Sequence, residues 1–202
     1  MIILGFGGHA RSVCDVAMSS GVTNFIFFDA NAQKNEAFLG YPVVSEWPAC
    51  LSSGWAAFSA SGDNRRREIQ ILEIERRQWP LATIISGSAT LGVGCQVGAG
   101  SFVGHHAHVG PKARIGAGCI INTAAIVEHE CSIGDYTHVS VNSVVAGRSS
   151  IGSMGFIGAG ATLIDGIQVT DNVTIGAGGV VVDSISDAGV YLGLPAKKLV
   201  DQ

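Results

Sequence analysis

Residues 103–139 read VGHHAHVGPKARIGAGCIINTAAIVEHECSIGDYTHV. An aliphatic side chain returns there at every sixth residue: Val103, Val109, Ile115, Ile121, Val127, Ile133 and Val139. The series runs on without a break, back through Val97, Leu91 and Ile85 and forward through Val145, Ile151, Ile157, Leu163, Val169, Ile175 and Val181. Four residues after most of these stands a small side chain, as at Ala89, Cys95, Ser101, Ala107, Ala113, Cys119, Ala125 and Cys131. A period of six matches neither the 3.6-residue helix nor the two-residue strand alternation. It matches a triangular solenoid in which the aliphatic points inward, the small residue fits the corner, and the frequent following glycine eases the turn. Three such sides make a coil of about 18 residues, so residues 85–181 build about five coils, each about 4.8 Å above the last. Residues 18 apart then share a face, and residues nine apart lie on different sides.

The bulk properties agree. A chain of 202 residues holds one large domain or two small ones, and 47% apolar residues permit a sizeable core. The 28 glycines show no collagen-like period. A net charge of −4 speaks against a nucleic-acid partner, and no apolar run is long enough for membrane insertion. The start, MIILGFGG, lacks the basic segment and cleavage site of a secretory signal. Five cysteines, with no CxxC pair, read as reduced thiols in a cytoplasmic protein.

Residues 1–81 lack the repeat and form a separate unit, with residues 82–202 making the β-helix and its C-terminal tail. Met1–Gly7, Phe25–Asp29 and Trp55–Ser61 read as strands. His9–Ser19 reads as a helix with Val13, Val16 and Ala17 on one side, and Asn64–Trp79 as a charged helix with Ile69, Ile71 and Leu72 apolar. Pro80 marks the boundary. Alternating strand and helix gives a small parallel α/β sheet of Rossmann-like type. Gly5-Phe6-Gly7-Gly8-His9-Ala10 joins the first strand to the first helix, a context in which backbone N–H groups cradle a phosphate, although the same glycines also suit a turn needed only for packing. Asp29 ends the second strand, where a ribose-binding acid sits. Some 80 residues do not supply the six strands of a full dinucleotide fold, which favours a mononucleotide group over NAD.

Five segments carry a family resemblance: GFGGHAR at 5–11, FFDAN at 27–31, SGDNRRR at 61–67, NTAAIVEHECSIGDYTHVS at 122–140 and GLPAKKL at 193–199. On them the chain resembles the hexapeptide-repeat sugar acyltransferases, which include nucleotide-aminosugar N-acetyltransferases and sialic acid O-acetyltransferases. The resemblance implies a left-handed parallel β-helix and a homotrimer with ligands in the grooves between subunits. It implies acetyl-CoA as donor with no metal, and a nucleotide-linked amino sugar as acceptor. It makes His129 the general base and Glu130 the acid that raises its basicity. His138, Ala159 and Ala177 would contact acetyl-CoA, with Lys197 by the adenine end. Gly7, Gly8, His9, Asp29, Gly62 and Asn122 would hold the nucleotide sugar. Some members carry a second acid after the one at 29; Ala30 here leaves UDP, dTDP and GDP all open.

The chemistry of acetyl transfer fits these residues. It needs a base, an oxyanion donor and two substrates held close. An imidazole is available as base near pH 7. Gly147 lies 18 residues beyond His129, hence one coil along on the same face, and its bare backbone N–H suits an oxyanion. Val141, Ala159 and Ala177 form another column, narrow enough for an extended pantetheine arm. His138, nine residues from His129, joins that site only across a subunit boundary. Cys131 sits at a buried corner of the repeat, which favours direct transfer over an acyl-cysteine. His105, His106 and His108 read as solvated rather than metal-binding, and Arg65, Arg66 and Arg67 as a solvated helix start. O-acetylation of a sugar hydroxyl, a zinc-dependent β-helix lyase and a non-catalytic nucleotide-sugar binder remain the alternatives.

Overall fold

The structure is a computed structural model describing residues 1–199; the last three residues of the expected tail, 200–202, lie outside the described residues. The chain opens with β1 (Ile2–Leu4), α1 (Gly8–Ser19), β2 (Ile26–Phe28), β3 (Ala37–Phe38), β4 (Tyr41–Val44), β5 (Ala57–Ser59) and α2 (Asn64–Arg76). These strands form one sheet in the order β3-β4-β2-β1-β5. It is parallel except for the β3–β4 hairpin. The sheet therefore has two strands beyond the three expected. β3 and β4 are short, β4 carries Pro42, and their turn places Leu39 and Gly40 at φ 53° and 84°. Positive φ at both central residues is the type I′ hairpin signature, which Gly or Asn usually announces and Leu39 hides.

Ile3, Phe27 and Phe58 pack against Val13, Cys14, Val16 and Ala17 of α1 to make the core of this unit. Asp63 caps α2, its carboxylate accepting from the Arg66 amide at 2.7 Å. The buried stripe of α2 is Arg67, Ile71 and Ile74, the i, i+4, i+7 spacing of one helix face. Ile69 and Leu72, expected on the apolar face, are exposed on the opposite one.

From Ile84 onward the chain is a left-handed parallel β-helix. Each two-residue strand pairs with the one 18 residues along, as in Phe102↔Ile120, Ile120↔His138 and His138↔Phe156. Three flat faces result. The expected aliphatics of the inner coils, from Val103 to Val181, are buried and stack into one column core. The small residues, such as Ala107, Ala113, Ala125 and Cys131, are also buried and sit just before each strand. The glycine that follows an aliphatic has a different cause from the turn geometry expected: the next coil lies directly over it. At Gly110 a Cβ would sit 2.5 Å from the His129 amide nitrogen.

The three faces differ in their outward residues. One carries Ile84, Phe102, Ile120 and His138, all buried beneath the N-terminal unit. The second carries Ile126, Val144, Thr162 and Val180, half-buried, and the third Gln96, Arg114, Ser132 and Gln168, exposed.

Arg67 pins the N-terminal unit to the first of these faces. Far from being solvated, it is wholly buried. Its Nε donates to Gly118 O at 2.6 Å, Nη2 to Tyr136 O at 2.6 Å and to Asn64 Oδ1 at 2.7 Å, and Nη1 to Ser61 O at 2.9 Å. Burial lowers its pKa to about 10, yet it stays charged at neutral pH. Asn64 adds bonds to Met154 O and Gly155 O at 3.1 and 2.9 Å. Replacing Arg67 with Met strands buried carbonyls on two coils, so Arg67→Met is expected to lower the urea unfolding free energy by about 2–4 kcal/mol. Arg67→Lys should recover little of it, because an ammonium cannot reproduce the planar fork.

Candidate active site

His129 stands in the turn that follows the half-buried aliphatic face, and Gly147 stands one coil further on, as the 18-residue register requires. Coil stacking fixes their backbones: Arg148 N donates to His129 O at 2.9 Å, and Gly166 N to Gly147 O at 2.9 Å. The His129 ring lies over residue 147. A Cβ at Gly147 would be 2.5 Å from Nε2 and 2.6 Å from Cε1. The other ring nitrogen, Nδ1, meets Glu130 Oε2 at 3.2 Å. A carboxylate only accepts, so Nδ1 carries the proton and the Nε2 lone pair faces Gly147. Among the described residues no acceptor takes the Gly147 N–H. Arg148 beside it is ion-paired with Asp165. Cys131 is buried one residue past Glu130; burial pushes its thiol pKa up, and Sγ points at Ala146 O, 3.2 Å away.

A second group forms at the N-terminal unit. A cavity of about 270 Å³ at the C-terminal ends of β1, β2 and β5 is lined by Gly7, Gly8, His9, Asp29 and Gly62, with Gly5, Ser61 and Arg66. Gly7 is the N-cap of α1, so the first amides of that helix open at this cavity. His9 Nε2 is buried with no partner among the described residues. A larger cavity of about 720 Å³ lies by Ala32–Asn35 and Ser45–Pro48, and none of the expected site residues lines it.

His138 borders this second group. Its outward side chain is covered by the N-terminal unit, and its ring centroid is 6.2 Å from that of His9. Nδ1 meets Gly62 O at 3.3 Å and Nε2 meets Asn122 Nδ2 at 3.2 Å. The carbonyl must accept, so His138 is the neutral Nδ1–H tautomer with Nε2 accepting from Asn122. Burial, reinforced by the charge of Arg67, pushes His138 down to about 4. Burial, His138 and Arg67 push His9 down to about 3.

Ala159 and Ala177 stand one above the other at the turns that lead into the aliphatic face, with Gly178 N bonded to Ala159 O at 2.8 Å. Asn122 belongs to the same corner. His129, Glu130 and Gly147 occupy the corner that leaves that face. Within one chain the face separates the two sets. Lys197 is exposed on a short strand that folds back on Gly189–Leu192. His105 bonds to Ser86 and Asp15, and His108 to Thr90; among the described residues no group of three metal-ligating side chains converges. Sequence reasoning missed Arg67 as a junction residue, because nothing in the string RRR distinguishes its third member from the other two.

A hexapeptide-repeat β-helix with a histidine–glutamate corner and an appended α/β unit defines an acyltransferase. Residues 1–73 match the family model described as the PglD N-terminal domain. The acetyltransferase domain of PglB from Neisseria gonorrhoeae is 30% identical over 98% of each chain, with a TM-score of 0.91. That domain in complex with acetyl coenzyme A is 31% identical over 98% of each chain, with a TM-score of 0.88. An asparagine-for-histidine variant of perosamine N-acetyltransferase from Caulobacter crescentus, in complex with CoA and GDP-perosamine, is 31% identical over 99% of this chain and 96% of that one, with a TM-score of 0.89. No curated protein sequence matches. The chain belongs to the hexapeptide-repeat sugar N-acyltransferase family.

Two outcomes follow from this geometry. Gly147→Ala forces the His129 ring aside, and kcat should fall by about 10²-fold while the thermal midpoint stays close to that of the parent, since the ring is solvent-exposed. For His9 and His138 the folded pKa values lie below the unfolded value of about 6.5. The unfolded chain therefore takes up protons that the folded one refuses. Stability is full above pH ~6.5 and falls as the pH is lowered, by up to about 1.4 kcal/mol per unit for each histidine. Urea titrations at pH 7, 6 and 5 should show this slope, and His138→Gln should remove about half of it.

Proposed function

We propose that the protein is an acetyl-CoA-dependent N-acetyltransferase acting on the amino group, at C4, of a nucleotide-linked amino-dideoxy sugar in surface-glycan assembly. The observation that carries the reading is the pairing of His129 Nε2 with Gly147, one coil apart, with Nδ1 turned to Glu130. The base and an open backbone N–H thereby meet at one spot. The sugar nitrogen attacks the thioester carbonyl as His129 Nε2 takes its proton. The oxyanion of the tetrahedral intermediate accepts from the Gly147 N–H. Collapse breaks the C–S bond, and the CoA thiolate takes the proton back from His129. Glu130 holds the ring in the Nδ1–H tautomer.

In this reading residues 1–81 are a nucleotide-sugar module, and residues 82–202 the transferase module. Gly7, Gly8, His9, Asp29 and Gly62 around one cavity support the first role. Amides at the start of α1 suit a diphosphate. Asn122 borders the sugar side; His138, expected on acetyl-CoA, lies beneath the N-terminal unit against Gly62 and His9, which favours a place beside the nucleotide sugar instead. Similarity to enzymes solved with acetyl-CoA and with CoA and GDP-perosamine supports the substrate classes.

The assembly in this reading is a homotrimer. The N-terminal unit covers one β-helix face, and a second face is polar, which leaves the Ile126–Val144–Val180 face to pack. Packing that face around a threefold axis sets the His129 corner of one subunit beside the Ala159–Ala177 corner of its neighbour. The pantetheine arm then lies in the groove between them, and Lys197 is free to meet a phosphate.

Purified protein should release CoA from acetyl-CoA with one member of a panel of UDP-, dTDP- and GDP-linked 4-amino-4,6-dideoxy sugars. His129→Ala should lose at least about 10²-fold of that rate. Release only with hydroxyl acceptors would replace amide formation by O-acetylation. An unimpaired variant would remove His129 as the base.

A further inference from the structure

At most turns of the β-helix the amide of the second residue after the inward aliphatic has no acceptor among the described residues, the exceptions including Pro111, which has no N–H, and Thr123, closed by Asn122 Oδ1 at 2.8 Å; at two further turns an aspartate one coil on closes it. Asp135 accepts from Ala117 N at 2.8 Å, and Asp171 accepts from Ser153 N at 2.7 Å. In both cases donor and carboxylate are 18 residues apart in the same column. In both cases the residue before the capped amide is glycine, Gly116 and Gly152, and a Cβ there would collide with the aspartate Oδ1. A carboxylate cap of this kind thus needs a glycine beneath it.

Asp165 stands in the same register over Gly147, 18 residues on. By the column rule it should close the Gly147 amide. It does not: its carboxylate is paired with Arg148, and the Gly147 N–H has no acceptor among the described residues. Two differences from the capped turns account for this. The residue before the amide is Ala146, whose methyl group occupies the space that Gly116 and Gly152 leave to a carboxylate. The residue after it is Arg148, a cation within reach of Asp165, where the capped turns have Gly118 and Met154.

We propose that Ala146 and Arg148 are positioning residues that hold Asp165 off the Gly147 N–H and so keep the oxyanion site open. This rests on the reading of Gly147 as the oxyanion donor. Ala146 acts by filling space and Arg148 by giving the carboxylate a better partner. The device serves the reaction twice. A carboxylate in the site would consume the donor, and its charge would repel the developing oxyanion.

The test removes both guards and then the occupant. Ala146→Gly with Arg148→Ala should let Asp165 cap residue 147. In trimeric protein with the active sugar acceptor, kcat should fall by about 10–10²-fold with KM little changed, because the lost interaction exists only in the transition state. Adding Asp165→Ala should restore kcat to within about threefold of the parent, and Asp165→Ala alone should stay within the same range. The Gly147 amide proton, followed by NMR in glycine-labelled protein, should move downfield in the double variant and return in the triple. A merely structural weakening would not be reversed by a third substitution. An unmoved amide in the folded double variant, or a triple variant that keeps the double's defect, overturns the proposal. An amide that moves while kcat stays put upholds the guard and counts against Gly147 as donor.

Discussion

Amides on one coil donate to carbonyls on the next, and that ladder does not slip. Gly110 N reaches Val127 O at 2.7 Å, Glu128 N reaches Val145 O at 2.9 Å and Ala146 N reaches Leu163 O at 3.1 Å. The step is the same each time, so every residue belongs to a column of residues 18 apart. Inward columns become the core, outward columns become faces and turn columns become corners. A shift of one residue in a parallel ladder would turn the stacked Val, Ile and Leu side chains toward solvent, at roughly 1.5–3 kcal/mol for each fully buried one. Register is therefore fixed many times over by the core. The corners inherit it at no further cost, which is why two residues far apart in sequence, the exposed His129 and the buried Gly147, meet reliably.

The three hexads of a coil are alike inside and different outside, and the differences dictate what each face does. Phe102 and Ile120 make one face an apolar bed for the α/β unit, and Arg67 locks the two together by donating to carbonyls on two successive coils, at Gly118 and Tyr136. Among the described residues no carboxylate shares its hydrogen bonds. A cation held only by carbonyl and amide dipoles needs all of them, so the junction is specific as well as cohesive. The same junction buries His138 and half-buries His9, both as neutral rings.

Much of this was legible in the sequence, and the limits follow from what each signal measures. The six-residue recurrence reports side chains that point inward, so it disclosed the β-helix and its register, and through the 18-residue ruler it set Gly147 over His129. It is blind to the outward residues. Reading every third hexad would have exposed the apolar row Ile84, Phe102 and Ile120 and hinted that His138, in that row, is covered. The α/β unit offered weaker signals. β1, β2 and β5 are marked by apolar runs, whereas β3 and β4 are too short and too interrupted by Pro42 and Gly40 to show a pattern. In α2 the apolar letters Ile69 and Leu72 misled, because the true inward stripe includes an arginine. Hydrophobicity ranks residues by transfer from water, and a guanidinium with every donor satisfied escapes that ranking.

The corner that bears His129 obeys a different economy from the core beneath it. Inward positions accept Val, Ile or Leu almost interchangeably, because volume and pattern are what they supply. Turn positions supply little of the apolar core. What constrains them is the geometry of groups stacked at one-coil spacing. At 147 a side chain would strike the imidazole; at 146, as proposed above, the presence of one denies space to a carboxylate. Glycine and alanine, adjacent and chemically plain, thus have opposite steric duties, and exchanging their order would keep the composition and the fold while undoing the site. The β-helix makes such small differences matter because the coils above and below hold each turn where it is, so that a methyl group at 146, together with the cation at 148, decides whether an amide is free.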